Sequence, residues 1–177
     1  MLSKGAPVKT IRSVIVLMFC CAAVAFAQKE KPDVTYDKMQ DFAKLKTYAW
    51  TTNQRASDPD ADKYIVDAID KQLAAVGLAK ADAAAADVRV IYGAVTRTDI
   101  DFDKNFSDKP SQTGSTGAHT YPVGTLLVAI RDRSDRIIWR GSIQRALPGD
   151  GDKARAKQVI EDAVAALFAK YPARGKS

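Results

Sequence analysis

Apolar residues recur along this chain with two different periods, and each change of period marks an element. Ile65, Ile69, Leu73 and Val76 return every three or four positions, the spacing that gathers a stripe on one face of an α-helix. Ser57 or Asp58 stands where a helix cap is needed, Pro59 suits the first helical position, and Gly77 ends the run. A second stripe, Val159, Ile160, Val164, Leu167 and Phe168, predicts a helix from about Asp152 to Tyr171 that Pro172 stops. Between the two, the period falls to two. Val88, Val90, Tyr92, Ala94, Ile100 and Phe102 share one side of a long strand, and Arg89, Arg97, Asp99 and Asp101 share the other.

Shorter β-branched and aromatic runs predict strands at Val34–Tyr36 and Thr47–Thr51. Thr125–Arg131 and Arg136–Ile143 flank Asp132-Arg133-Ser134-Asp135, residues that favour a tight reversal, and so predict a β-hairpin. The stretch from Asp103 to Gly124, with Pro110, Gly114, Gly117 and many Ser and Thr residues, reads as a mobile loop. The resulting order is β-β-α-β-β-β-α. Half-buried strands and amphipathic helices each need one covered face, which points to an α+β fold: a two-layer sandwich of about five strands, largely antiparallel, with two helices.

The first 27 residues do not belong to that pattern. Lys4, Lys9 and Arg12 precede an apolar run from Val14 to Phe26, and Ala25-Phe26-Ala27 is a small-x-small site, the three parts of a cleavable secretion signal in their required order. The run spans about 13 residues against the roughly 20 that cross a bilayer as a helix. Cleavage is expected between Ala27 and Gln28. Residues 28–33 are polar and contain Pro32, as a linker would, so the expected folded domain covers 34–172 and a polar tail covers 173–177. Both cysteines, Cys20 and Cys21, fall inside the signal, and Phe19 and Cys20 precede them where a lipidation site wants a small residue. A mature chain beginning at Gln28 has no thiol for disulfides, nucleophilic catalysis or metal ligation.

Export changes the meaning of the charge. The full chain carries 27 cations and 21 acids. Without Lys4, Lys9 and Arg12 there remain 24 cations against 21 acids, a mild +3 that in an exported protein gives no reason to expect nucleic acid as a partner. The excess is uneven. From Arg131 to Lys157 eight cations face four acids, so Arg131, Arg133, Arg136 and Arg140 form the candidate contact surface, toward another envelope protein or an anionic envelope component. The competing reading is solvated charge that keeps a sheet edge from pairing.

Catalytic patterns are thin. A Ser-His-acid triad or a histidine zinc site depends on the single histidine, His119, which sits in the soft loop. Asp99-Ile100-Asp101-Phe102-Asp103 spaces oxygen ligands like half a calcium loop, but Lys104 and Pro110 stand where that loop needs glycine and glutamate. An acidic pair, Asp37 or Asp41 facing Asp99 or Asp101 across the sheet, is the alternative: a carboxylate hydrolase acting on cell-wall glycan. Trp50 and Trp139 are candidates for a sugar-stacking platform or for ordinary packing. No glycine-rich phosphate loop follows a strand, and no cofactor is expected.

Asp33-Val34-Thr35-Tyr36-Asp37 and Asp41-Phe42-Ala43-Lys44-Leu45-Lys46-Thr47-Tyr48-Ala49-Trp50 resemble the opening of the bacterial family DUF4136. The helix ending at Gly77-Leu78, the strand start Ala86-Asp87-Val88-Arg89-Val90, Ile138-Trp139-Arg140-Gly141 and the closing helix before Tyr171-Pro172 follow in the family's order. The resemblance implies an α+β domain in a secreted or lipid-anchored envelope protein, in or near the periplasm and outer membrane. It implies no activity.

Overall fold

The computed structural model describes residues 31–51, 56–101, 119–149 and 151–172. The expected signal peptide, half of the linker (28–30) and the polar tail 173–177 lie outside them, as do 102–118, which include the greater part of the expected loop. Strand β1 (Asp33–Tyr36) leads through a short 3-10 turn (Phe42–Lys44) to β2 (Thr47–Trp50) and helix α1 (Pro59–Ala75). Then come β3 (Ala79–Lys80), β4 (Val88–Ile100), β5 (Thr120–Arg131), β6 (Ile137–Ala146) and helix α2 (Lys153–Phe168). The fold is α+β, with both helices and one side of a six-stranded sheet, ordered β1-β6-β5-β4-β2-β3, supplying a common core.

Local chemistry explains the helix ends. The Asp58 carboxylate accepts from the Asp60 amide at 2.9 Å, and Asp60 and Asp62 put negative charge in the first turn, where the helix dipole favours it. At the other end Gly77 takes φ 83°, and the Leu78 amide reaches back to the Leu73 carbonyl at 2.9 Å. That closure needs a left-handed residue, hence glycine. Asp152 caps α2 by accepting from the Arg155 amide at 3.0 Å. The second helix is shorter than expected: it ends at Phe168, and Tyr171 is buried in the turn beyond it.

The sheet departs from the sequence-based expectation in three places. Strand β3 is a sixth strand of two residues, too short to carry a period, and it pairs in parallel with β2. Strand β2 pairs in parallel with β4, because α1 intervenes and carries the chain back to the end at which β2 began. Strand β5 begins at Thr120, so Thr120–Gly124 is strand and not loop. Pro122 and Gly124, inside the expected loop, stand opposite Thr98 and Thr96 of β4, and the Pro122 carbonyl accepts from the Leu147 amide at 2.8 Å. A partner strand has overridden local propensity.

Trp139 and Ile130, opposite each other in β6 and β5, are fully buried, as are Val88, Val90, Val128, Ile69, Leu73, Val164 and Leu167. Trp139, Phe168, Tyr171 and Phe42 make a contiguous aromatic group with centroids 5.1–6.1 Å apart. Burial along β4 fades toward its end. Ile100, expected on the covered face, is 48% exposed. Thirteen residues of strand span about 40 Å and 17 of helix only about 25 Å, so the sheet outruns the helices.

Candidate functional site

The β5–β6 turn is built by Asp132, whose carboxylate accepts from the amides of Ser134 (2.9 Å) and Arg136 (3.0 Å), and by Asp135, which takes φ 64°. Burial alone would push the pKa of Asp132 up, because it disfavours the charged carboxylate. The amide and guanidinium donors of Arg136 and the amide of Ser134 outweigh it, and hold the carboxyl below its usual range.

The four arginines of the candidate contact surface separate into two pairs. Arg133 and Arg136 reach sideways from the turn in opposite directions. Arg133 places Nη2 3.0 Å from Asp87 at the start of β4. Arg136 ion-pairs with Asp37, just after β1, at 3.1 Å and with Asp132 at 3.2 Å. These two tie the hairpin to its neighbours on both sides. Arg131 and Arg140 instead lie on the sheet face that carries no helix. Arg140 donates from Nε to Thr35 Oγ1 at 2.9 Å and Arg131 from Nη1 to Asp135 at 3.0 Å.

The structure adds a cation that the sequence pattern had set aside. Arg89 of β4 stands directly opposite Arg131 of β5. Arg140 is opposite Ala129, one diagonal step from Arg131. Like charges directly opposed on one face of an antiparallel pair are destabilising. Arg131 Nε is moreover buried and without a hydrogen-bond partner among the described residues. Only pairing register reveals this neighbourhood, because Arg89 and Arg131 are far apart in the chain. Along the same open face Leu127 is 45% and Val95 64% exposed, giving an apolar strip beside the cations.

The acids of the alternative reading are not brought together. Asp37 follows Tyr36, which aligns through Trp139 and Ile130 with Val90 of β4, whereas Asp99 lies nine positions farther along β4. At about 3.3 Å per residue that is roughly 30 Å, against the 5–9.5 Å of a glycosidase pair. Asp41 caps the 3-10 turn beside Phe42, which packs on Tyr36 at the same end as Asp37. Asp99 is gripped by Nε and Nη2 of Arg97, each at 3.0 Å. The Asp101 amide donates to the carbonyl of exposed His119, and Asp103 lies outside the described residues. No cluster of three or more His, Cys, Asp or Glu side chains among the described residues is placed to hold a metal.

Neither tryptophan forms a platform. Trp139 is fully buried, and Trp50 packs edge-on to Tyr92 while its Nε1 donates to Asp70 at 2.8 Å. Asp70 also accepts from the Tyr48 hydroxyl at 2.7 Å and from Lys80 at 3.0 Å. A cavity of about 90 Å³ opens beneath the end of the sheet, among Ile65, Ala94, Leu126, Ile143, Ile160 and Ala163, with no Asp, Glu, Cys or His in its lining.

Solved structures align with the chain at low identity. A PDZ domain protein from Parabacteroides distasonis ATCC 8503 aligns with TM-score 0.52 at 16% identity, over 84% of this chain. This chain spans 38% of that structure's length. PelC from Paraburkholderia phytofirmans, described as a dodecamer, gives 0.46 at 15% identity, covering 78% of this chain and 96% of PelC. A minor lipoprotein from Acinetobacter baumannii gives 0.42 at 13%, covering 75% and 98%. No protein of curated function matches the chain. The family model described as "Domain of unknown function (DUF4136)" matches residues 32–173, the strands, helices and arginine-bearing hairpin together, and the chain belongs to that family.

Proposed function

We propose that this is an exported protein of the cell envelope, cleaved between Ala27 and Gln28, whose 34–172 domain is a non-catalytic binding module. Its ligand is an anionic envelope component that presents phosphate or carboxylate groups. The contact is centred on Arg131 and Arg140 of the original four arginines, joined by Arg89, while Arg133 and Arg136 hold the hairpin in place. The observation that carries this reading is the opposition of Arg89 and Arg131 on the open face. An oxyanion between two guanidinium groups relieves their repulsion through the forked hydrogen bonds that arginine makes. No helix among the described residues is long and apolar enough to cross a membrane.

Co-sedimentation of the mature protein with isolated envelopes at low salt tests the reading, since exposed charge acts most strongly there. Arg89→Ser with Arg131→Ser should reduce binding about tenfold or more, while Arg133→Ser with Arg136→Ser should bind like the parent once both are shown to be folded. Equal binding by the Arg89/Arg131 variant defeats the proposal. The intact mass of the exported protein should be that of a chain starting at Gln28, and an acyl mass on a cysteine would contradict the cleavage.

A further inference from the structure

Strand β4 is long, and along most of one edge no strand among the described residues pairs with it. On one side it pairs with β5 from Arg89 to Ile100. On the other, β2 covers only Val88–Val90, and the Thr51 amide adds one bond to the Val90 carbonyl. From Gly93 to Ile100 no strand among the described residues lies against that second edge. Open edges are templates for pairing, and proteins usually blunt them with charged side chains, proline or a bulge. Gly93–Ile100 contains no proline, its charges are the opposite pair Arg97 and Asp99, and the sheet's register shift lies elsewhere, at Ile130/Arg131.

We propose that this edge pairs antiparallel with the same edge of a second copy of the chain, with Thr98 opposite the partner's Thr98. Charge selects both occupant and register. Arg97 and Asp99 are two apart, on the same face, with the Arg97 side chain 54% and the Asp99 side chain 33% exposed. A two-fold axis at Thr98 sets Arg97 against the partner's Asp99 and Asp99 against the partner's Arg97, so the intrachain pair becomes a ring of four alternating charges. A one-residue slip turns outer faces inward, so the neighbouring registers differ by steps of two. One step one way opposes Arg97 to the partner's Arg97, and one step the other way opposes Asp99 to the partner's Asp99, both unfavourable. A threonine pair at the centre is itself a favourable cross-strand contact. Only a self-complementary edge offers such a match, which makes a second copy the partner.

Sedimentation equilibrium of the mature chain tests this. The parent should show a concentration-dependent dimer. Arg97→Asp alone and Asp99→Arg alone should each weaken it about tenfold or more, since each opposes like charges twice. An equimolar mixture of the two should recover the dimer, because every opposed pair is then of opposite sign. A readout independent of charge is Thr98→Cys, which should crosslink to its own copy on mild oxidation, opposed Cα atoms in an antiparallel pair lying about 4.5–5.5 Å apart. Thr96→Cys, opposite the partner's Ile100, should not. A parent that stays monomeric at about 0.5 mM, variants that associate as the parent does, or a mixture that fails to associate would each overturn the proposal.

Discussion

Arg133 donates from Nη2 to Asp87 at 3.0 Å and from Nε to the Ala86 carbonyl at 3.2 Å, fastening the β5–β6 turn to the start of β4. Asp87 also accepts from the amides of Lys46 (2.9 Å) and Thr47 (3.1 Å) and from the Thr47 hydroxyl (3.2 Å). One carboxylate thus joins β2, β4 and the hairpin. Asp87→Ala should cost about 1–3 kcal/mol, because two backbone donors lose their acceptor. Arg133→Ser, at an exposed ion pair, should cost under about 1 kcal/mol. Urea titrations of both variants check the order, and a larger loss for Arg133→Ser would contradict it.

The same site predicts a pH dependence. The Lys46 amide contributes most to holding the Asp87 carboxyl below its usual range, against the opposing effect of burial, with Thr47 and Arg133 adding to it. A carboxyl whose folded value lies below its unfolded value of about 3.9 contributes stability that is present above the unfolded value and lost as pH falls through the folded one. Thermal unfolding from pH 6 to pH 2 should therefore show a smaller loss of stability for Asp87→Asn than for the parent. An unchanged slope would rule out this contribution.

Asp70 predicts an effect at the alkaline end. Burial first, and then the hydrogen bond to Asp70, push the Tyr48 phenol well above its ordinary range. A raised phenol pKa contributes stability that is intact below the unfolded value near 10 and lost as pH climbs toward the folded one. Asp70→Ala leaves the Tyr48 hydroxyl and Trp50 Nε1 without their acceptor and should cost about 1–3 kcal/mol, a fall of several degrees in the thermal midpoint. The tyrosinate absorbance absent in a Tyr48→Phe variant should appear at lower pH once Asp70 is gone.

Gly141 is held to its size by packing. A Cβ there would stand 2.9 Å from Leu167 Cδ2 and 3.1 Å from the Trp139 ring, both fully buried. Gly141→Ala should destabilise by about 1–3 kcal/mol through overpacking. Gly93, with nothing within 4 Å of an added Cβ, is the control, and Gly93→Ala should be near neutral or slightly stabilising. Paired chemical denaturation decides between them.

Calcium should leave the protein unchanged. Asp99 is committed to Arg97, so millimolar calcium should shift the thermal midpoint by less than a degree. A site filled a hundredfold above its dissociation constant would add about 2.7 kcal/mol. A rise of several degrees that Asp101→Ala abolishes would show a cation site.

Much of this protein follows from residues close together in the chain. The span of α1, its Asp58 cap, its Gly77 stop and the Asp132–Asp135 reversal are local hydrogen-bonding problems, legible because donor and acceptor lie within a few positions. The alternation of β4 and the buried stripe of α2 are local for the same reason. What escaped the sequence depended on partners distant in the chain. Strand β3 and the first residues of β5 exist because a neighbour completes their ladders, and β2 runs parallel to β4 because α1 returns the chain. Ile100 obeys its period yet stays exposed, since helix reach and not alternation decides what is covered. The arginines divide on the same ground. Composition shows that 131–157 is basic, but only strand register sets Arg89 opposite Arg131, and only the fold delivers Asp87 and Asp37 to Arg133 and Arg136. Charge is written residue by residue, whereas the distance between charges belongs to the tertiary structure, and Coulomb energy depends on that distance.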